Sequence, residues 1–291
     1  MIKSAGQRRG VAPTVIEGRV SGPDPGLFLP GISITLKTCR NALNPSRIPG
    51  VDYCLNPYTG CSHGCLYCYA ACRKSSLAEP RRWGTFVEVK ANFPARLSRE
   101  LGRARPGSVL LATVTDAYQP VEQKCGLTRA CLELLADSNL GVSILTKSDL
   151  VVRDLEVLRR LKRVSVGFSL TVADDSLARL LEPGAPPTSC RLRALEHLSR
   201  HGIRTWVFIA PVIPGLGDTP ENLSRLVRQA RAAGAKEIDY DPLNPYPTAV
   251  ANLEALFRRY FPRRLDALKA AVRDRTAYRR RLSQLWKQVQ C

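Results

Sequence analysis

Residues 56–70 read NPYTGCSHGCLYCYA, a stretch that holds three closely spaced cysteines. Cys61, Cys65 and Cys68 follow the spacing C-x3-C-x2-C. Three thiolates on one tight loop can bind three irons of a cubane iron–sulfur cluster and leave the fourth iron open to a further ligand. Gly60 and Gly64 favour such a loop, because glycine adopts backbone conformations that other residues avoid. The stretch therefore predicts a metal loop with Cys61, Cys65 and Cys68 as ligands.

Two other interpretations of these cysteines stay open at the level of sequence. Cys54, His63 or Cys72 could add a fourth ligand and complete a zinc site. Structural zinc usually takes two separated ligand pairs, however, and no second C-x2-C pair follows downstream. A metal-free group of reduced cysteines is an unusual way to build a core. The iron–sulfur interpretation is favoured, with His63 as a hydrogen-bonding neighbour of the cluster or loop rather than a ligand.

Outward from this loop, apolar runs of strand length alternate with segments of helical period. Strands are predicted at Thr85–Val89, Val109–Thr113, Val142–Thr146, Val164–Leu170, Thr205–Ile209 and Glu237–Tyr240. Helices are predicted at Phe93–Gly102, Thr128–Leu135, Leu150–Leu161, Leu192–His201 and Glu221–Ala233. This alternation indicates an α/β fold with a parallel sheet and right-handed crossovers. There are too few units for a closed eight-fold barrel, so we expect an open barrel of about six units.

The chain divides into three predicted regions. Residues 1–50 form an irregular N-terminal extension, with turn signals at 21–26 and one isolated strand at Ile32–Leu36. Residues 51–245 form the barrel core. Residues 246–291 form a basic helical C-terminal segment with a leucine stripe and paired arginines.

Charge and composition limit the possible partners. Lys and Arg number 44 against 25 Asp and Glu, a net charge of +19. This excess favours nucleic acid as partner, because each neutralised phosphate releases a condensed counterion; the alternative is an arginine bias of a GC-rich or heat-adapted genome. Neither an apolar run of roughly 20 residues nor a secretory signal is visible. We therefore expect a cytoplasmic protein without a membrane partner.

The string TGCSHGCLYCYA resembles the signature of the radical S-adenosylmethionine (SAM) superfamily, with Tyr67 before the third cysteine. Within that superfamily it resembles the spore photoproduct lyase branch, often labelled DNA repair photolyase-like. The resemblance covers roughly residues 53–245. Further matching segments are Trp83-Gly84, residues 89–92, residues 113–116, residues 118–120, residues 127–129, Thr146-Lys147 and residues 211–215.

The resemblance implies a partial (β/α)6 barrel that holds a [4Fe-4S] cluster and SAM. It also implies reductive cleavage of SAM to a 5′-deoxyadenosyl radical, which abstracts hydrogen from the substrate. An electron donor such as flavodoxin or ferredoxin would reduce the cluster. In such enzymes the cofactor supplies the difficult chemistry, and the protein positions it and excludes water.

The resemblance also implies roles for individual residues. Lys147 would hold the SAM carboxylate, and Ser169 would contact the ribose. Thr115 and Asp116 would contact the amino group or the ribose. Tyr67 would stack near the adenine with Ile213 on the opposite face, and Tyr67 and Tyr69 resemble tyrosines that relay hydrogen in this branch. The alternatives are a surface lysine at 147, a helix N-cap at 115–116 and a buried backbone-bonded hydroxyl at 169.

The sequence departs from the branch at one catalytic position. Spore photoproduct lyases use a cysteine as hydrogen donor in a segment that matches residues 112–116, where this chain has Thr113. A hydroxyl is a much poorer hydrogen-atom donor than a thiol. Cys125 or Cys131 could substitute in space, although Cys131 fits a small apolar helix position better.

These features predict a radical SAM enzyme that acts on nucleic acid, by lesion repair or by base modification. Two other functions stay open. The same radical chemistry could act on a peptide or a small molecule. A non-enzymatic zinc protein that binds nucleic acid is the third possibility.

Overall fold

The computed structural model describes residues 31–72 and 82–290. Its strands are β1 (Ser33–Lys37), β2 (Asn44–Pro45), β3 (Tyr53–Leu55), β4 (Tyr58–Gly60), β5 (Phe86–Lys90), β6 (Ser108–Leu111), β7 (Gly141–Thr146), β8 (Val164–Leu170), β9 (Arg204–Val212) and β10 (Glu237–Pro242). Its α-helices are α1 (Phe93–Leu101), α2 (Glu122–Cys125), α3 (Leu127–Ala136), α4 (Leu155–Leu158), α5 (Asp175–Leu181), α6 (Thr188–Arg200), α7 (Pro220–Ala232), α8 (Pro247–Tyr260), α9 (Leu265–Arg273) and α10 (Arg275–Gln290). The turns predicted at 21–26 lie outside the described residues.

The main sheet has the strand order β10-β9-β8-β7-β6-β3-β2. Every neighbouring pair from β3 to β10 is parallel, and β2 pairs antiparallel at the edge. Within the described residues this gives six parallel strands. Apolar side chains of these strands pack with the surrounding helices and form the main core, in which Val142, Ile144, Val166 and Phe168 are almost completely buried. The predicted α/β class with a partial barrel is confirmed.

The open side of the barrel is closed by the helix that follows the last strand. On α8, the Asn252 side chain donates to the Leu66 carbonyl at 3.2 Å. Leu253 and Phe257 pack with Cys65 and Tyr67 in a second apolar cluster. Helix α8, which follows the last strand, therefore contacts the cysteine loop, which follows the first strand.

One strand predicted for the barrel lies in a different sheet. Thr85–Val89 is observed as β5, but β5 lies outside the main sheet, between β1 and β4 in a three-stranded sheet. The first barrel strand is β3, which the sequence analysis missed because only three residues precede the interruption at Asn56-Pro57. The predicted strand at 32–36 is also not isolated, since β1 pairs in parallel with β5.

The helices mostly follow the predicted positions. Residues 150–161, predicted as one helix, instead form a 3-10 helix over Asp149–Asp154 that continues into the short α4. The Ser148 side chain caps this segment by accepting from the Leu150 amide at 3.2 Å. Helix α5 was not predicted. Gly202 and Gly234 follow helices with φ values of 82° and 97°, as expected for left-handed C-caps.

The C-terminal segment is helical, as predicted, and it packs onto the barrel. The Trp286 ring on α10 lies 4.5 Å from the Tyr240 ring of β10, centroid to centroid. The Tyr278 hydroxyl donates to the Val212 carbonyl at 3.2 Å, and Arg281 forms an ion pair with Asp218. Helix α10 therefore covers the β9–β10 side of the sheet. In the part of the chain that the structure describes, no helix is both long and apolar enough to cross a membrane.

Candidate active site

A cleft with about 970 Å³ of empty space, partly open to solvent, lies where the strands of the main sheet end. The carboxyl ends of parallel strands are the usual place for active sites in barrels. The lining includes the predicted site residues Cys61, Cys65, Tyr67, Cys68, Tyr69, Thr115, Asp116, Lys147 and Ser169. The fold thus brings residues from the cysteine loop and from the ends of β6, β7 and β8 to one cavity.

The cysteine loop runs from β4 into the 3-10 helix at Tyr69–Cys72 and packs too tightly for larger residues. Gly60 has φ +79°, and a Cβ there would lie 2.5 Å from the Phe86 carbonyl oxygen. Gly64 packs against Gly84, where a Cβ would lie 2.9 Å from the Gly64 Cα. The Gly184 amide donates to the His63 carbonyl at 2.9 Å. Gly60 and Gly64 therefore allow the tight loop that the sequence predicted.

The three thiols suit a cluster better than a single ion. Among residues 31–72 and 82–290, no three His, Cys, Asp or Glu side chains converge closely enough to hold one metal ion. In a cubane, by contrast, each thiolate binds a separate iron. Burial raises the pKa of the Cys65 thiol to about 12 and also raises the pKa values of Cys61 and Cys68. Such thiols need adjacent positive charge to ionise, which iron supplies. The donor set fits an iron–sulfur cluster.

Gln119 and Thr115 fix the cysteine loop to the segment after β6. The Gln119 side-chain oxygen accepts from the Ser62 amide at 2.9 Å, and its amide nitrogen donates to the Thr115 hydroxyl at 3.0 Å. The Thr115 hydroxyl in turn donates to the Gly60 carbonyl at 2.6 Å. Gln119 is completely buried. The sequence analysis did not assign it a role, since nothing in the sequence marks its partner at Ser62.

Asp116 connects three segments around the cleft. Its carboxylate accepts from the Tyr118 amide at 2.9 Å, the Thr146 hydroxyl at 2.7 Å and the Lys147 amide at 2.8 Å. The His63 Nδ1 atom lies 3.4 Å from the same carboxylate, and burial lowers the pKa of His63. No helix begins at 115–116, since α2 starts at Glu122. The helix N-cap alternative is therefore not observed.

Lys147 places an ammonium group on the cleft wall. Its Nζ donates to the Ser169 hydroxyl at 2.8 Å and lies 5.7 Å from the centre of the Tyr67 ring. The Ser169 hydroxyl donates to the Ala210 carbonyl at 3.1 Å. Lys147 forms no ion pair with a described residue. Its charge is thus held in place and faces the cavity, unlike that of a solvated surface lysine.

A buried ion pair supports the cleft from below, and the sequence analysis missed it. Arg191 and Glu182 are almost completely buried and bind each other. Glu182 also accepts from the Tyr67 hydroxyl and from the Thr171 hydroxyl. Burial alone would raise the pKa of Glu182, but Arg191 and Lys147 lower it to about 2. The Arg191 guanidinium also donates to the Ser169 carbonyl at 2.9 Å, so the network positions two predicted SAM-contacting residues.

The two tyrosines of the cysteine loop have different environments. Tyr67 is buried, and burial next to Glu182 raises the pKa of its hydroxyl well above the usual range. Tyr69 is 45% exposed at the cleft, and its hydroxyl donates to the Thr113 carbonyl. Tyr67 is therefore a fixed, neutral hydrogen-bond donor, whereas the Tyr69 ring remains accessible.

Three other residues from the sequence analysis lie away from the cleft. Ile213 is completely buried in the second apolar cluster and is not among the described residues that line the cavity. Cys131 is buried in the main core, and Cys125 packs against the apolar cluster beside β5. Neither thiol substitutes in space for the missing cysteine at Thr113, because neither lines the cavity.

Comparison with known proteins identifies the family of this chain. The family model of the radical SAM superfamily matches residues 55–230. An uncharacterized protein of Mycobacterium tuberculosis is 33% identical over 276 residues, which is 85% of this chain and 80% of that protein. An uncharacterized protein of Methanocaldococcus jannaschii is 35% identical over 189 residues, 64% of this chain and 70% of the relative. A radical SAM Nα-GlyT isomerase of Pseudomonas phage M6 is 25% identical over 214 residues, 72% of this chain and 44% of the isomerase.

Solved structures show the same fold. Spore photoproduct lyase complexed with dinucleoside spore photoproduct superposes with a TM-score of 0.59 at 18% identity. The match covers 78% of this chain and 66% of the lyase chain. At this identity the likeness concerns the fold. Because the family model spans more than half of the sequence, this chain belongs to the radical SAM superfamily and is an enzyme of that superfamily.

Proposed function

We propose that Cys61, Cys65 and Cys68 bind a [4Fe-4S] cluster and that SAM binds beside it in the cleft. The observation that carries this proposal is that the three thiols and the Lys147 ammonium line one cavity at the strand ends. When bound, these groups supply a carbon radical for hydrogen abstraction, after reduction by a donor such as flavodoxin or ferredoxin. Of the three thiols, Cys61 and Cys65 are buried and Cys68 is partly exposed at the cleft.

The cleft residues are suited to hold SAM. The Lys147 ammonium, oriented by Ser169, provides a charge-assisted hydrogen bond to the carboxylate of SAM. Asp116 and Thr115 line the same cleft on the segment after β6, and we assign the SAM amino group to them. Tyr67 presents its ring to the cleft with its hydroxyl anchored. We therefore assign the adenine contact to Tyr67 and not to the buried Ile213.

We further propose that the substrate is a nucleic acid. The net charge of +19 favours a polyanion. Tyr69 at the cleft and Tyr246 just after β10 are both more than 40% exposed, and accessible aromatic rings near a cavity are suited to stack on bases. A base inside a duplex is out of reach of a buried site, so the substrate would be single-stranded or flipped. A lesion repair or a base modification is the proposed reaction class.

Repair of the spore thymine dimer by thiol hydrogen donation is not part of this proposal. Thr113 stands at the position of the donor, and its hydroxyl accepts from the Asn56 side chain at 2.9 Å. Among the described lining residues, Cys61, Cys65 and Cys68 are the thiols, and we assign all of them to metal. Tyr69 would return hydrogen to the product: its O–H bond breaks as the product C–H bond forms, and the phenoxyl left on Tyr69 would regain a hydrogen atom from 5′-deoxyadenosine.

A labelling experiment tests the substrate. Anaerobically reconstituted enzyme is incubated with SAM, a reductant and single-stranded oligonucleotides made from deuterated nucleosides, with a deuterated peptide pool as the second arm. We expect deuterium in 5′-deoxyadenosine from one nucleoside type, and much less with the Lys147→Met variant at the same SAM concentration. Cys190→Ala, which alters a cysteine outside the cleft, is the matched control and should behave as the wild type. Label transfer from the peptides alone, or 5′-deoxyadenosine that stays unlabelled in both arms, would contradict the nucleic-acid assignment.

A further inference from the structure

The end of β10 and the turn that follows it carry two polar side chains into the cleft. Residues 241–247 read DPLNPYP, and both Asp241 and Asn244 line the cavity. Prolines at 242, 245 and 247 fix φ near −65° and restrict the backbone between them. The two side chains are thus presented by a stiff segment rather than by a freely moving loop.

The orientation of the Asn244 amide follows from its neighbours. The Arg275 guanidinium, at the start of α10, donates to the Asn244 side-chain oxygen at 3.3 Å. The Asn244 amide nitrogen faces the Asp241 carboxylate at 3.4 Å. The amide therefore points its oxygen toward α10 and its N–H groups toward Asp241. One N–H remains available for a ligand.

Asp241 keeps more free acceptor capacity than the other polar groups of the cleft. Asp116 is bound by three donors, and the hydroxyls of Thr113, Thr115 and Ser169 are all hydrogen-bonded within the protein. Asp241 is half-buried, and its one side-chain hydrogen bond among the described residues is the long contact with Asn244. It forms no ion pair there despite the strongly basic chain. Burial raises the pKa of Asp241, which Arg279 and Arg275 partly offset.

A carboxylate oxygen beside an amide N–H is a paired acceptor and donor. All four nucleobases offer the complementary pattern on their Watson–Crick edge, namely an N–H next to a ring nitrogen or carbonyl oxygen. We propose that Asp241 and Asn244 bind the Watson–Crick edge of one unpaired nucleobase in the cleft, with Asp241 as acceptor and Asn244 as donor. This inference rests on the proposed nucleic-acid function and adds the residues that recognise the base. Arg275 is a positioning residue, because it acts by orienting Asn244.

The test measures recognition of a single base. The probes are fluorescent single-stranded oligomers with a wholly abasic backbone, and the same oligomers with one natural base at the centre. Fluorescence anisotropy with the reconstituted full chain, at fixed salt, gives the affinity ratio between the two. The ratio removes the phosphate contribution, which both probes share. We expect the wild type to prefer at least one of the four single-base probes by about tenfold, since one good bidentate base contact contributes about 1–3 kcal/mol.

Asp241→Asn and Asn244→Ala should reduce this preference to about twofold or less, while affinity for the abasic probe is retained. Arg275→Gln should reduce it partly. The matched control is Asp239→Asn, which makes the same change on the same strand at an exposed position that does not line the cavity. Iron content and circular dichroism verify that the variants are folded.

Three results would overturn the inference. Wild-type preference retained in Asp241→Asn and Asn244→Ala would show that other residues recognise the base. An equal loss in Asp239→Asn would show an effect of net charge alone. If the wild type bound none of the probes, the nucleic-acid proposal itself would fail, and the ligand assigned to Asp241 and Asn244 would fail with it. The first two results leave the nucleic-acid proposal intact, so the two kinds of failure can be told apart.

Discussion

At the scale of single residues, the three clustered thiols are distinguished from the other cysteines by where they lie. Cys61, Cys65 and Cys68 line the cleft, whereas Cys190 lies on α6 and accepts from Arg193. We expect Cys61→Ala, Cys65→Ala and Cys68→Ala each to lose most of the iron and sulfide bound after reconstitution and to abolish SAM cleavage. Cys190→Ala should retain both. Full SAM cleavage in any of the three cleft variants would refute the ligand assignment.

Lys147 provides a second prediction at this scale. Replacing it by methionine keeps the length of the side chain but removes the charge that faces the cavity. A hydrogen bond to a charged group contributes about 1.5–3 kcal/mol, so the Kd for SAM should rise by about 10- to 150-fold. Iron content should be unchanged, because the Lys147 ammonium hydrogen-bonds to Ser169 and to none of the three cysteines. Calorimetric titration measures the Kd, and an unaltered value would contradict the assigned role.

Much of the site could be predicted residue by residue from the sequence. The cysteine spacing and the polar residues at strand ends are local signals, and together with the family resemblance they identified nine of the cleft-lining residues. Gln119, Glu182 and Arg191 carried no comparable signal. Gln119 acts on Ser62, 57 positions away, and Glu182 acts on Tyr67, 115 positions away. Such contacts depend on the folded partial barrel and are not encoded in a short pattern.

At the scale of structural elements, the Glu182–Arg191 pair joins α6 to the segment after α5 beneath the cleft. Glu182→Gln should lower the free energy of unfolding by about 3–5 kcal/mol, because it leaves the Arg191 charge buried without its partner. Denaturant unfolding near neutral pH measures this loss. The double variant Glu182→Gln/Arg191→Met is the control and should recover part of it. Equal stability of wild type and Glu182→Gln would contradict the role of the pair.

The same pair predicts a pH dependence. The pKa of Glu182 is lowered from 4.5 to about 2 in the folded chain. The unfolded chain therefore binds a proton at a higher pH than the folded chain. The stabilisation is fully present above about pH 4.5 and is lost as the pH falls toward about 2. The free energy of unfolding of Glu182→Gln should fall less steeply between about pH 4.5 and pH 2 than that of the wild type. The same pH dependence in both proteins would contradict this account.

Gly184 supplies a prediction about the contact between the cysteine loop and the turn after α5. A Cβ at this position would overlap the Ser62 carbonyl oxygen. Gly184→Ala should shift the loop, lower stability by about 1–3 kcal/mol and reduce iron incorporation. Gly102→Ala is the matched control, because its Cβ would meet only one atom, at 4.0 Å. Thermal unfolding and iron analysis compare the two, and an equal effect of both substitutions would argue against the tight contact.

The elements themselves were predictable where the chain repeats one pattern. From β6 to β10, strands with apolar runs alternate with amphipathic helices, and the sequence located the strands and the longer helices but not α2 or α5. The start of the barrel was not found, because β3 and β4 are three residues each and are separated by Asn56-Pro57. Strand β5 is buried on both faces over most of its length, like β8 of the main sheet. Composition alone does not reveal that its neighbours are β1 and β4.

At the scale of the whole molecule, only some of the positively charged side chains form ion pairs with acidic residues. Arg191, Arg281 and Arg153 are engaged by acidic residues, but the net charge of +19 remains. Affinity for single-stranded DNA or RNA should therefore fall steeply with salt, with a slope of about −0.7 in log K against log salt for each phosphate contacted. Anisotropy titrations over a salt series measure the slope. A salt-independent affinity would favour the compositional explanation of the charge.

The whole-molecule account depends on a cluster with one iron left free by the protein. Electron paramagnetic resonance of the reduced, anaerobically reconstituted enzyme, recorded with and without SAM, tests this most directly. We predict the signal of a reduced [4Fe-4S] cluster, at about four irons per chain, that changes its shape when SAM is added. A signal that SAM leaves unchanged, or metal analysis that finds zinc in place of iron and sulfide, would contradict the account.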